Sequence, residues 1–489
     1  MVDVDRARLL QAVPTELFIG GKWVSSRSGE TFAVVDPASE ELLLRVADAG
    51  PTDGIAALDA AVDAAADWAA TPPQARADVL RAAYDALIER REEIAALITL
   101  EMGKPLAEAR GEVGYGAGFF RWFSESATRL HLDGGYGVEP GGQYRIVTTK
   151  RPVGPTLLVT PWNFPLAMGT RKIGAALAAG CTVVIKPAEQ TPLTTLLLAE
   201  VLREAGLPDG VVNVVTTTDA AGLVRPVMAD PRLRKISFTG STRVGKLLLG
   251  QAADHVLRSS MELGGNAPLL VFDDADVDTA VEGAVVAKLR NGGESCVAAN
   301  RIHVQSGVVE EFTRKLTERM ASFRPGPGLD PASTLGPLID DRQRTKVAGL
   351  VDDAVAKGAE LLLGGEVPTG KGYFYPPTVL RGVPHDAELR TEEIFGPVAA
   401  IYPFDTEDEA IAAANDTPFG LASYLFSQNL SRAMRVAEAL DSGMTGINRG
   451  VISNPAAPFG GIKESGLGRE GSSHGIEEYL ETKYIGLGL

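Results

Sequence analysis

The stretch RNGGESCVAANR, Arg290 to Arg301, places a cysteine, Cys296, shortly after a glycine pair, and MELGGNAP, Met261 to Pro268, places a carboxylate, Glu262, just ahead of another. A third stretch, TPWNFP, offers the side-chain amide of Asn163. A thiolate adds to an aldehyde carbonyl to give a tetrahedral hemithioacetal, whose oxyanion needs hydrogen-bond donors. The Asn163 amide and the backbone N–H of Cys296 are candidates. If hydride then leaves to a bound nicotinamide, the resulting thioester must be hydrolysed by water with general-base help, and Glu262 is the candidate base. Taken singly, each residue has a plainer reading: a lone cysteine belongs to the core, a glutamate to the surface, an asparagine after tryptophan to a turn.

Histidine does not offer a route to activating the thiol. The five histidines (His131, His255, His303, His385, His474) are scattered, without zinc-ligand spacing and without an evident cysteine-protease partner, so no metal is expected. A free thiol with a pKa of ~8.5 is only a few per cent thiolate at neutral pH. Activation of Cys296 is therefore assigned to bound cofactor, backbone amides and Glu262 acting through water.

The elements that must position these groups read as α/β. After a short strand start, residues up to about 130 have the apolar spacing of amphipathic helices. From Gly154 to Asn266 strands and helices alternate: TLLVT, a helix through KIGAALAAG, CTVVIKP, the helix TTLLLAEVLREAG, VVNVV, another helix, KISFTG. Such alternation predicts a parallel, doubly wound sheet whose ligand crevice lies at the carboxyl ends of its strands. A second α/β run extends from near Ala267 to about Gly446, with ELGGNAP as the boundary. VEPGGQYRIVTTKRPVG reads as a hairpin arm, with a Pro140–Gly142 turn and β-formers from Tyr144 to Val153.

With 489 residues, the chain has room for two or three domains. Its 45% hydrophobic and 22% charged residues exclude a disordered or fibrous class. Lys and Arg number 47 against 63 Asp and Glu, and the resulting net charge of −16 argues against nucleic acid or an anionic membrane as a partner. MVDVDRARLLQAV lacks the basic start and apolar stretch of a secretory signal, and no apolar run reaches spanning length, so the expected location is the cytoplasm. There Cys181 and Cys296 are expected as thiols, with Cys181 a core residue in AAGCTVVIKP.

Three motif matches are set aside. GLGREG, Gly466 to Gly471, fits a dinucleotide fingerprint but leaves too little chain for the required βαβ unit. GSTRVGKL, from Gly240, nearly fits a P-loop, yet Leu247 stands where the Mg²⁺-binding hydroxyl belongs. What survives is Gly240 and Ser241 opening a helix after a strand, a place for a pyrophosphate. DDADVDTAVEGAV lacks the glycine and bidentate glutamate of a calcium loop, with Thr279 and Val285 in their places.

TPWNFP, KPAEQTP, FTGSTRVG, MELGGNAP, NGGESCVAANR, EEIFGPV and PFGGIKESGLGRE occur in an order that resembles the aldehyde dehydrogenase superfamily over nearly the whole chain. The resemblance implies an aldehyde dehydrogenase-like α/β fold: a Rossmann-like cofactor domain (1–136 and 155–265), an α/β catalytic domain (266–468), and a β-hairpin oligomerisation arm with the tail (137–154 and 469–489). It implies Cys296 as nucleophile, Glu262 as base, Asn163 in the oxyanion hole, and Lys172 with Glu470 as a proton-relay pair. For the cofactor it implies Thr160, Pro161, Trp162, Lys186, Glu189, Gly240, Ser241, Leu263, Glu393 and Phe395. Because the Glu189 carboxylate can accept from a ribose 2′-OH but repels a 2′-phosphate, NAD is expected over NADP, with the Lys186 ammonium tempering that preference.

Within the superfamily, GTRKIGAALAAGC, KLRNGGESCVAANR and GVISNPAAPFGGIKESGLGREG most resemble succinate-semialdehyde dehydrogenases. That resemblance implies Arg171, Arg290 and Ser453 as holders of a substrate carboxylate, and a small anionic semialdehyde as substrate. A neighbouring ω-oxo acid such as glutarate semialdehyde is the alternative substrate; a CoA-acylating relative and a non-catalytic superfamily member are the other readings weighed. A homodimer or homotetramer is expected. Three departures stand out. Ala298 replaces a second cysteine common in the subfamily, so no intraloop disulfide is expected; Glu294 stands where glutamine is common; and Arg449 is expected near the substrate pocket, where it would add a cation or narrow the site.

Overall fold

The computed structural model describes residues 6–129 and 135–488; His131 lies outside them. An eight-stranded sheet is built around five parallel strands in the order Val212–Val214, Val183–Lys186, Thr156–Val159, Lys235–Thr239, Arg258–Glu262. Leu17–Ile19 adds antiparallel at one edge, tying the N-terminal segment to this sheet. At the other edge Gly466–Leu467 pairs with Met261–Glu262. The chain runs outward in both directions from Thr156–Val159, so strand order reverses between Val159 and Thr239, and a crevice opens at their carboxyl ends.

The alternation read between Gly154 and Asn266 is present element by element. The strand Arg258–Glu262, sequence RSSME, is the one that composition hides, because its polar residues do not read as a buried run. A second, seven-stranded sheet runs Glu360–Leu363, Thr378–Arg381, Val398–Phe404, Ala299–Gln305, Ala267–Val271, Ala422–Phe426, Met444–Ile447, parallel apart from its first pair. Residues 263–266 step from one sheet to the other. The arm pairs Tyr136–Val138 and Leu480–Gly488 on the two sides of Tyr144–Pro152.

Two helices hold the first sheet's crevice in shape. Every residue of Ala167–Ala179 is buried, as a helix closed in on all sides must be. It packs on Leu106–Ala127, whose Phe119, Phe120 and Phe123 are fully buried, each ring contributing about 1.5 to 3 kcal/mol. Such a helix can carry Arg171 and Lys172 only if both charges find partners, since an unpaired buried charge is costly. Among the described residues no helix is long and apolar enough to cross a membrane.

Candidate active site

The crevice contains a cavity of about 200 Å³ lined by Pro161, Trp162, Asn163, Thr239, Gly240, Ser241, Glu262, Leu263, Cys296, Glu393 and Phe395, among others. Behind it lies a second cavity, lined by Tyr115, Phe164, Met168, Arg171, Arg290, Ser453 and Phe459. Cys296 lines both. The thiol therefore stands at the junction of a crevice at a topological switch point and a pocket carrying two guanidinium groups.

Local backbone geometry explains how Cys296 reaches this junction. Asn291, Gly292 and Gly293 take successive positive φ angles of 59°, 63° and 78°, turning the chain sharply out of the helix Val277–Leu289. A Cβ on Gly293 would lie 2.2 Å from the carbonyl oxygen of Gly396, so only glycine fits. Gly265 is required for a similar reason: its Cβ would meet the Cys296 carbonyl at 2.5 Å. The second glycine of ELGGN thus admits the nucleophile's own backbone.

Burial pushes the Cys296 thiol up to about 12; the Arg171 charge opposes this, while Glu393 and Glu262 add to it. The Glu262 charge disfavours the thiolate rather than stabilising it. The Glu262 carboxyl is itself raised well above the usual carboxylate range, by burial first and by the nearby Glu470 second, and its Oε2 has no hydrogen-bond partner. Asn163 is buried, and its Nδ2 donates to the Glu294 carbonyl at 3.0 Å, leaving one N–H of the amide uncommitted. Glu294 turns its carboxyl toward the backbone N–H of Ile339, 3.1 Å away, and burial raises it well above the usual range, which disfavours an anion beside the thiol.

Lys172 and Glu470 are in contact, and Lys172 also donates to Ser237 at 2.8 Å. Although burial disfavours its charge, Arg171 and Lys172 hold the Glu470 carboxyl below its ordinary range. Sequence reading missed that Arg171 is itself ion-paired with Glu470, 299 positions later in the chain, and lies over the Phe459 ring at 4.5 Å. Its Nη2 remains without a partner. Arg290 lies over Phe164 at 5.1 Å. Arg449 departs from expectation: it is exposed, and lines an open surface hollow with Asp278 and Glu282 rather than the pocket holding Ser453. Cys181 is fully buried, its thiol pushed up to about 11 by burial.

Of the residues expected to hold a dinucleotide, Pro161, Trp162, Gly240, Ser241, Leu263, Glu393 and Phe395 line the crevice cavity, while Thr160, Lys186 and Glu189 do not. Ser241 caps the helix Thr242–Ala253, its Oγ accepting from Val244 N–H, at the end of Lys235–Thr239. Thr160 follows Thr156–Val159, and Lys186 ends the neighbouring strand with its Nζ 3.5 Å from Glu189. Burial lowers the Lys186 pKa, and Glu189, 43% exposed, opposes this. The Leu263 side chain packs beneath Gly245 of the capped helix. Trp162 and Phe395 meet edge to face at 5.4 Å across the crevice. Glu393 accepts from Gly265 N–H at 3.2 Å, and burial pushes it up to about 7. A nicotinamide dinucleotide fits this donor set: a capped helix N-terminus for phosphate, a Lys–Glu pair and a lone glutamate for two ribose diols. Gln343 and Lys346, which carry no sequence motif, also line the crevice and hold the Ile394–Phe395 and Glu393 carbonyls.

The profile of the aldehyde dehydrogenase family matches residues 23–485. A succinate-semialdehyde dehydrogenase of Paenarthrobacter nicotinovorans is 56% identical over 91% of this chain and 99% of its own. The NADP(+) succinate-semialdehyde dehydrogenase GabD of Escherichia coli K12 is 48% identical over 97% of this chain and 98% of its own. A glutarate-semialdehyde dehydrogenase of Pseudomonas aeruginosa is 48% identical over 97% of each chain. The crystal structure of a succinate-semialdehyde dehydrogenase from Burkholderia pseudomallei superposes with a TM-score of 0.96 at 45% identity over the full length of both chains. This chain belongs to the aldehyde dehydrogenase family.

Proposed function

We propose that this chain oxidises succinate semialdehyde to succinate with NAD(P), through a thioester on Cys296. The observation that carries the reading is the junction at Cys296: a crevice suited to a dinucleotide on one side, and a pocket with Arg171, Arg290 and Ser453 on the other. The two guanidinium groups and the Ser453 hydroxyl hold the substrate carboxylate and leave the aldehyde carbon facing Sγ. Asn163 Nδ2 and the Cys296 N–H donate to the oxyanion that forms as the Cys296 thiolate attacks. When bound, the nicotinamide supplies the hydride acceptor. Glu262 then takes a proton from the water that hydrolyses the thioester, and the Lys172–Glu470 pair carries that proton onward. Glu262 remains suited to this role because its raised pKa makes it a stronger base than a solvent-exposed carboxylate.

Glu189 at the adenosine end supports NAD over NADP, and the adjacent Lys186 keeps NADP within reach. The Pseudomonas aeruginosa relative supports glutarate semialdehyde as the second substrate to test. The arm supports self-association: Leu480–Gly488 presents exposed Tyr484, Ile485 and Leu487, and its outer edge is open to a strand of a second copy. One substrate panel tests the reading. kcat/KM for succinate semialdehyde, glutarate semialdehyde and butanal, each with NAD and NADP, should rank succinate semialdehyde with NAD first. A higher value for butanal overturns it.

A further inference from the structure

Among the charges the mechanism above leaves unused, Lys104 and Glu112 are buried, with half-buried Glu108 between them. Lys104, Glu108 and Glu112 follow one another at four-residue spacing, at the start of and along one face of the helix Leu106–Ala127. Lys104 is 2% exposed and lines neither cavity. Its Nζ donates to Glu112 Oε2 at 2.5 Å and to the backbone carbonyl of Asn163 at 2.8 Å, and lies 4.1 Å from the centre of the Phe164 ring. Phe164 is the ring that also carries Arg290. Glu112 Oε1 accepts from the N–H groups of Leu166 and Ala167, which open the helix carrying Arg171 and Lys172. Glu108 accepts from the Asn291 N–H at 2.6 Å, in the turn that follows Arg290. Asn291 Nδ2 closes the network by donating to the Asn163 carbonyl at 3.0 Å.

We infer that Lys104 is a positioning residue for the oxyanion donor: its ammonium, held by Glu112, fixes the Asn163–Phe164 peptide and thereby aims the Asn163 amide at the Cys296 junction. The inference rests on the proposed role of Asn163. A buried ion pair is weak evidence for stability, because its desolvation cost offsets its attraction, and pairs of this kind are often replaceable by apolar residues of similar volume. The Lys104–Glu112 pair holds both the Asn163–Phe164 peptide and the start of the following helix at Leu166–Ala167, and the Asn163 carbonyl it holds belongs to the same residue that supplies the donor. Small misplacements of a catalytic group cost rate rather than cofactor affinity.

The test is a double-mutant cycle on the full-length enzyme with succinate semialdehyde and NAD. Lys104→Met should lower kcat roughly ten- to a hundred-fold, with KM for NAD unchanged. In an Asn163→Ala background the same substitution should change kcat by no more than about twofold, because the group it positions is gone. An equal loss in both backgrounds overturns the inference and leaves the Asn163 assignment standing. An unchanged kcat in Asn163→Ala alone overturns that assignment, and the inference with it. If Lys104→Met does not fold, Lys104→Met with Glu112→Gln removes both charges while keeping an acceptor for Leu166 and Ala167, and enters the cycle in its place. Recovery of kcat to the wild-type value in that double variant also overturns the inference, since charge burial alone would then explain the pair.

Discussion

Arg290→Ala separates substrate recognition from chemistry more cleanly than any change at Arg171. Arg171 already faces Glu470, so removing it disturbs Glu470 and through it Lys172 and Glu262. Arg290 lies against Phe164, and among the described residues no carboxylate stands within ion-pair distance of it. Its charge is therefore available to a substrate anion. One charge-assisted hydrogen bond contributes about 1.5 to 3 kcal/mol, and at about 1.4 kcal/mol per factor of ten its loss lowers kcat/KM for succinate semialdehyde by roughly 10- to 150-fold. Butanal has the same chain length without the carboxylate, so it should lose no more than the small packing contribution of the arginine stem. Steady-state NADH formation with both aldehydes, in wild type and variant, measures the ratio. Equal losses on the two would refute the claim that Arg290 reads the anion.

Three further outcomes follow from the charges around the site. Because burial pushes the Cys296 thiol up to about 12 and Glu262 adds to that, alkylation of Cys296 in the free enzyme should accelerate steadily from pH 7 to about pH 10 without a plateau, and Glu262→Gln should react faster, not slower, at pH 9. Slower reaction in the variant would restore Glu262 as an electrostatic activator. Glu294 has a raised pKa in the folded state, so the folded protein holds a proton that the unfolded chain releases, and stability falls as pH rises from about 4.3, the unfolded value. Glu294→Gln should therefore raise Tm by an amount that grows from pH 5 to pH 7; a pH-independent difference contradicts this. Glu189→Gln should shift the kcat/KM ratio toward NADP by about two- to fivefold, the modest size expected of a half-exposed charge; no shift would move cofactor choice elsewhere.

The parts of this architecture that repeat locally were legible in the sequence. Alternating apolar strands and helices from Gly154 to Asn266 announce a parallel sheet, and the glycine pairs beside Glu262 and Cys296 mark where the backbone must bend or approach closely. What escaped reading depends on contacts between residues far apart in sequence. The Arg171–Glu470 pair, the edge pairing of Gly466–Leu467 with Met261–Glu262, and Lys104 beneath Asn163 carry no periodic signal. Tyr115 reads as an ordinary core aromatic on a helix until the second cavity places it opposite Arg171 and Arg290. Arg449 misled in the other sense. It is four positions from Ser453, yet the loop turns between them, so one lines an outer hollow and the other the pocket.

The central claim is a thioester on Cys296 that Glu262 helps water to hydrolyse, and trapping that thioester tests it most directly. Glu262→Gln, mixed rapidly with succinate semialdehyde and NAD and quenched in acid, should give a burst of NADH approaching one equivalent per chain, followed by a much slower phase. The peptide carrying Cys296 should then bear a succinyl group by mass spectrometry. No burst and no adduct on Cys296, with turnover persisting in Cys296→Ala, would contradict the account.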